Sequence, residues 1–201
     1  MYNSFPEETL QSECLKIVRD ILGERYVSIF IKDFRLLESD VDKTSHIDCI
    51  ISFSNGWKST PISGSGYGMV DALFNSMMGT FTKDFSSLSQ VQFDDFAMRI
   101  KFNNTPRKSS APAEIKISLT NERNQKIYFS AEAHSMVMAS VSAICKAFEY
   151  LVNAERAVVC LRGDIEDASV RNRKDLSDRY INQMATLVRI VSYERVVKKN
   201  T

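Results

Sequence analysis

The sequence is poor in the residues on which irregular chains, metal sites and cross-linked frameworks depend. Its 201 residues include only 7 Gly, 4 Pro, 4 Cys and 2 His. So little glycine and proline excludes a collagen-like or low-complexity chain. The cysteines form no CxxC pair, so we expect buried free thiols rather than a disulfide or metal framework. They are Cys14, Cys49, Cys145 and Cys160.

Excess charge and long apolar runs are also absent. The 26 basic and 25 acidic side chains leave a net charge of +1, so no overall field draws the chain to nucleic acid or to an anionic membrane. No apolar run approaches the roughly 18 to 20 residues of a membrane span, and the first residues do not resemble a signal peptide. We therefore expect a cytoplasmic protein that binds neither nucleic acid nor membranes.

Catalytic signatures are missing as well. The chain is too short for a barrel enzyme of roughly 250 residues, and it contains no HExxH, HxH or GxSxG pattern. We expect no catalytic residue, no cofactor and no metal. An enzyme that uses Asp71, His134 or Ser135 is kept as a third interpretation, although Ser135 is better explained as a helix N-cap.

What the sequence does contain is a clear order of hydrophobic periods. Apolar residues from Leu10 to Leu22 follow helical spacing, with Gly23 at the expected end of the helix. The period then changes to two, and Asn55-Gly56 suits a tight hairpin turn. The predicted strands are Tyr26–Phe34, His46–Phe53 and Trp57–Ile62, followed by a helix from Met69.

The second half of the sequence repeats this order. Predicted strands at Val91–Phe102, Ala113–Leu119 and Lys126–Ser130 precede a long helix, and Gly68–Ala72 aligns with Ser135–Ala139 at an offset of 67 residues. We predict an α+β fold of two tandem β-β-β-α units with extra helices at both ends. The predicted boundaries are 1–25 for an N-terminal helix, 26–85 and 86–155 for the units, and 156–201 for a C-terminal helical extension with a polar loop at Arg162–Lys174.

A glycine-rich stretch stands where the first unit passes from strand to helix. Gly64-x-Gly66-x-Gly68 lacks the spacing of a dinucleotide-binding loop. It fits either a tight strand-to-helix connection or a loop whose backbone and helix N-terminus hold an anion such as a carboxylate. Asp71, in the first helical turn, is either a partner of the helix dipole or a counter-ion for a ligand amine.

Two segments resemble a known family. Gly66-Tyr67-Gly68-Met69-Val70-Asp71-Ala72 resembles the GxGPVDA segment of the C-terminal regulatory, or dimerisation, domain of α-isopropylmalate synthase and citramalate synthase. Ser135–Ile144 and Leu151-Val152-Asn153 are similar to that domain's second motif, and the resemblance extends over residues 26 to 155. The sequence departs from the family in having Met69 where proline is usual and Ser135 where an acidic residue is common.

The resemblance implies a non-catalytic homodimer that binds leucine, isoleucine or a related acid. The glycine segment would hold the carboxylate, Asp71 would face the amine, and Val70, Met136 and Ala139 would contact the apolar side chain. The alternative is an interaction subunit that has lost the ligand and docks on a synthase catalytic subunit. The effector-contacting residues predicted in this way are Gly64, Gly66, Gly68, Val70, Asp71, Ala72, Ser135, Met136 and Ala139.

Overall fold

The structure is a computed structural model that describes residues 6–54, 56–100 and 111–192, with side chains described from residue 10 onward. The helices are α1 (Pro6–Leu22), α2 (Met69–Phe81), α3 (Met136–Val170) and α4 (Lys174–Leu187). The strands are β1 (Ile29–Ser39), β2 (Thr44–Phe53), β3 (Thr60–Gly66), β4 (Gln92–Ile100), β5 (Ala113–Thr120) and β6 (Lys126–Ala133).

The strands form two antiparallel sheets of three, ordered β1-β2-β3 and β4-β5-β6, and each sheet is followed by a helix. This confirms the predicted α+β class and the tandem β-β-β-α units. Helices α2 and α3 begin at Met69 and Met136, 67 residues apart, so the repeat has the same register in space as in sequence.

Helix α3 is the centre of the core. It packs on β1, β5 and β6 and also contacts α1, α2 and α4. Its side chain Phe148 is fully buried, with ring centroids of Phe74 and Phe81 at 5.6 and 5.5 Å. Because α3 touches both sheets, the two units share one hydrophobic core.

Two buried polar side chains of α3 hold the surrounding chain in place. The Asn153 amide donates to the Val27 carbonyl at 2.7 Å and accepts the Val27 N–H at 3.0 Å. The Glu155 carboxylate accepts the N–H groups of Ser86 and Ser87 at 3.1 and 3.0 Å, and also the Ser87 hydroxyl. These bonds fix the segment before β1 and the turn before β4, where the backbone would otherwise be buried without partners.

Several predicted boundaries are wrong. Strand β1 begins at Ile29, three residues late, because Gly23–Arg25 forms a 3₁₀ turn that delays the extended chain. Strand β3 runs from Thr60 to Gly66 rather than from Trp57 to Ile62, and β6 continues to Ala133. Gly56 has a φ of 70°, as a tight turn requires, while Asn55 and residues 101 and 102 of the fourth predicted strand lie outside the described residues.

The polar loop predicted at Arg162–Lys174 is also wrong over most of its length. Helix α3 continues to Val170, so it crosses the predicted boundary at residue 155, and only three residues separate it from α4. Leu161 and Ala168 keep one face buried, and the ion pairs Arg162–Glu166 and Arg171–Asp167 join residues four apart. Such pairs stabilise a helix whose composition resembles a loop.

By length and composition α3 could cross a membrane, since it has 35 residues and an 18-residue window of mean hydropathy 1.2. Of that window 67% is buried inside the fold. Core helices of folded domains share this pattern, so the helix is weak support for a membrane span.

Candidate functional site

The start of α2 is an uncapped helix N-terminus. Gly68 precedes the helix in an extended conformation and provides no side-chain cap. A Cβ built on Gly68 would meet no atom within 4 Å. The first N–H groups of a helix have no partner within the helix, so the backbone here is available to an anion.

Asp71 lies in the first turn of this helix and stabilises the entry of the chain. One carboxylate oxygen accepts the backbone N–H of Tyr67 at 3.0 Å, and the other accepts the Asn75 amide at 2.9 Å. An exposed carboxylate can accept up to about four hydrogen bonds. Asp71 therefore holds the residue before the helix and retains acceptor positions that face solvent.

Gly64 and Gly66 lie in strand β3 rather than in a loop. They pair with Ile47 and Ser45 of β2. A Cβ on Gly64 would overlap the Ser76 hydroxyl, and one on Gly66 would lie 2.5 Å from the Ala72 backbone nitrogen. The glycines therefore let α2 pack directly on β3, which is the strand-to-helix role that the sequence left open.

A substitution at this contact is expected to destabilise the protein. In Gly66→Ala the new methyl group would also lie 2.8 Å from the backbone carbon of Asp71, so α2 has to shift, at a cost of about 1 to 3 kcal/mol of unfolding free energy. Gly79→Ala is the matched control, because its Cβ meets nothing within 4 Å and alanine favours a helix by roughly 0.5 to 1 kcal/mol. Urea unfolding of both variants measures the effect. A Gly66→Ala protein as stable as the original would disprove the contact.

The start of α3 differs from that of α2 in being capped. The Ser135 hydroxyl accepts the Met138 N–H at 3.4 Å, which confirms its prediction as an N-cap. Met136 and Met138 are 49% and 39% exposed. Two side chains that the sequence placed at the effector, Ala72 and Ala139, are fully buried in the core of the single chain.

A polar cluster on the outer face of the first sheet was not expected. His46 and Asp48 of β2 lie opposite Ser65 and Ser63 of β3. His46 Nδ1 lies 2.9 Å from the Ser65 hydroxyl, and its Nε2 lies 3.3 Å from Asp48. The hydrogen bond from Ser63, followed by the neighbouring His46, lowers the pKa of Asp48. The signal in the sequence was the alternation of polar residues on paired strands.

That cluster resembles a hydrolytic triad only in composition. The side chains of His46 and Asp48 are 41% and 51% exposed, whereas catalytic electrostatics depend on a site from which water is excluded. Over the parts of the chain that the structure describes, no group of three or more His, Cys, Asp or Glu residues could hold a metal ion. The four cysteines are free, and three of them are buried.

Comparison with known proteins gives one family. The model of the LeuA allosteric (dimerisation) domain matches residues 10–152, more than two thirds of the chain. No curated protein matches. The match begins inside α1, so it includes most of a helix that the resemblance over residues 26 to 155 left out. The chain belongs to the LeuA allosteric domain family.

Proposed function

We propose that this member of the LeuA allosteric domain family is a homodimeric regulatory module without catalytic activity, which binds a small branched-chain amino acid or a related acid in the cytoplasm. The family supports a regulatory role of the synthase type. The observation that carries the proposal is the uncapped start of α2, framed by the glycines and by Asp71.

An exposed apolar face of strand β4 supports the proposed dimer. Its Phe96, Met98 and Ile100 lie opposite residues of β5 that are at most 2% exposed, and directly opposite side chains share one face of a sheet. Yet these three are 39%, 49% and 41% exposed. Helix α3 covers β1 in the first sheet, whereas none of the described helices packs comparably on β4. A second copy of the chain would cover this face.

The register places a second apolar group near the same end of the sheet. Ala133, the last residue of β6, pairs with Ala113 of β5, which pairs with Ile100 of β4. Helix α3 begins three residues after Ala133, with exposed Met136 and Met138. Methionine suits an adaptable apolar contact with a partner or a ligand side chain.

The effector would bind at the start of α2. Its carboxylate would accept the free N–H groups at Gly68 and Val70, since a helix N-terminus favours negative charge. Its amine would lie against the solvent-facing lone pairs of Asp71. Ala72 and Ala139 would act through packing, because both are fully buried in the single chain.

A specific observation favours the alternative of an interaction subunit. Both carboxylate oxygens of Asp71 already accept hydrogen bonds within the chain, and Met69 replaces the proline usual in the family. A protein of this kind would retain the dimer and dock on a synthase catalytic subunit through its added helices, where Val170 and Ile181 are 86% and 49% exposed.

Thermal denaturation with added ligands separates the two functions. We expect leucine, isoleucine or a branched keto acid at about 100 times its dissociation constant to add about 2.7 kcal/mol of stability, which raises the Tm by about 5 to 10 °C in a chain of this size. Glycine, which has no side chain, is the control and should leave the Tm unchanged. No shift with any of the twenty amino acids or the keto acids would reject the sensor and favour the interaction subunit.

A further inference from the structure

A cleft of about 860 Å³ lies between α1, α3 and the strands β5 and β6, lined by none of the nine residues predicted for the effector. We propose that it binds a small organic anion with an aromatic or apolar body. The inference does not rest on the proposed function, since it concerns different residues. Those used below are Gln11, Arg19, Tyr26, Lys116, Lys146 and Glu149.

Three cations that have no ion-pair partner among the described residues line this cleft. Arg19, Lys116 and Lys146 come from α1, β5 and α3. Among the described residues no carboxylate lies within 4.0 Å of any of them. Lys146 donates to the Ser130 carbonyl at 2.8 Å, which leaves two of its three donors. Uncompensated cations from three elements favour an anionic ligand.

Among the described residues that line the cleft, Glu149 is the one carboxylate, and it is already engaged in hydrogen bonds within the chain. Glu149 accepts the Tyr26 hydroxyl at 2.9 Å and the Ile29 N–H at 3.0 Å, so its two oxygens hold the chain before β1. With one carboxylate against three cations, the lining has an excess of two positive charges. A monoanion would compensate half of this excess, and a dianion such as a phosphate monoester would compensate all of it.

Aromatic side chains form a large part of the remaining lining. Tyr26, Tyr128, Phe129 and Tyr150 line the cleft, and the Arg19 guanidinium lies 4.4 Å from the centre of the Tyr26 ring. That stacking leaves the N–H groups at the edge of the guanidinium free to bind an anion in the bidentate manner of arginine. A ligand with an apolar or aromatic body would pack against the rings while its charge meets the cations.

The cleft is formed before any ligand arrives, because α1 is fastened to the edge of β6. The Gln11 amide donates to the Tyr128 carbonyl at 2.7 Å and accepts the Tyr128 N–H at 3.0 Å. The Tyr150 hydroxyl donates to the Gln11 carbonyl at 3.5 Å. Walls that are already ordered lower the entropic cost of binding.

Calorimetric titration of the full chain with phenyl phosphate tests the site. We expect one phenyl phosphate per chain, and dissociation constants about tenfold higher in Arg19→Gln and Lys116→Gln, because each loses a charge-assisted hydrogen bond. Lys16→Gln is the matched control: it removes the same charge from an exposed position of α1 outside the cleft. Benzyl alcohol, which has the ring without the charge, should bind more weakly.

Three results would overturn the proposal. The first is the absence of binding by phenyl phosphate, and the second is equal affinity in Arg19→Gln, Lys116→Gln and Lys16→Gln. The third is displacement of phenyl phosphate by a branched-chain amino acid, which would merge this cleft with the effector site. The first two results leave the thermal shift with amino acids unaffected, so a failure of this proposal is distinguishable from a failure of the proposed function.

Discussion

Asn153→Ala is expected to lower the free energy of unfolding by about 3 kcal/mol. The substitution removes both hydrogen bonds that the amide makes with Val27. Val27 and Asn153 are fully buried, so water cannot replace these bonds. A buried backbone donor or acceptor left without a partner costs about 1 to 3 kcal/mol, and here one of each is lost.

The loss of these bonds should also destabilise the first sheet, because Val27 precedes β1 and β1 is an edge strand of that sheet. Asn182→Ala is the matched control, since Asn182 lies exposed in α4 and exposed substitutions usually change stability by at most about 0.5 kcal/mol. Urea unfolding followed by circular dichroism measures both variants. If the free energy of unfolding of Asn153→Ala lies within about 0.5 kcal/mol of that of the control, the Asn153 amide does not hold the strand.

Met98→Asp is expected to convert the proposed dimer into a monomer. Met98 is the most exposed of the three apolar residues on the uncovered face of β4. In a dimer that covers this face, an unpaired carboxylate would be buried, which costs several kcal/mol. We expect the dissociation constant to rise by about a thousandfold, which corresponds to about 4 kcal/mol.

Ala97→Asp is the control for this variant, because Ala97 is exposed and the alternation of a strand turns it to the opposite face of β4. Sedimentation velocity at several protein concentrations compares the two. The monomeric variant should keep the circular dichroism of the folded chain, since Met98 is half exposed in the single copy. If both variants keep the association state of the original chain, β4 is not the interface.

The tandem units could be predicted from sequence because they depend on local patterns. Alternation marks the strands, helical spacing marks α2 and α3, and the offset of 67 residues repeats in space. The extent of β3 could not be predicted, because Gly64 and Gly66 are poor strand residues. Their place in the strand depends on pairing with β2 and on the close approach of α2. The full length of α3 could not be predicted either. Its buried residues Leu161 and Ala168 lie far apart among charged residues, so the sequence there resembles a polar loop.

Only part of the candidate site could be predicted from the sequence. The cap at Ser135 follows from local chemistry, and it occupies the predicted position. The cleft beside Arg19 could not be predicted, because Arg19 lies about 100 residues or more before Lys116 and Lys146 in sequence. The three cations meet through the packing of α1 against α3 and β6. Long-range packing also decides that Ala72 and Ala139 are buried.

The most direct test of the regulatory dimer is the mass of the unmodified chain in solution, measured by light scattering across a dilution series with and without leucine. We expect a particle of twice the mass of the 22.9 kDa chain. It should persist to lower protein concentration when leucine or isoleucine is present, because the effector binds the dimer. A mass of 22.9 kDa at every concentration, unchanged by either amino acid, would contradict the proposed dimer.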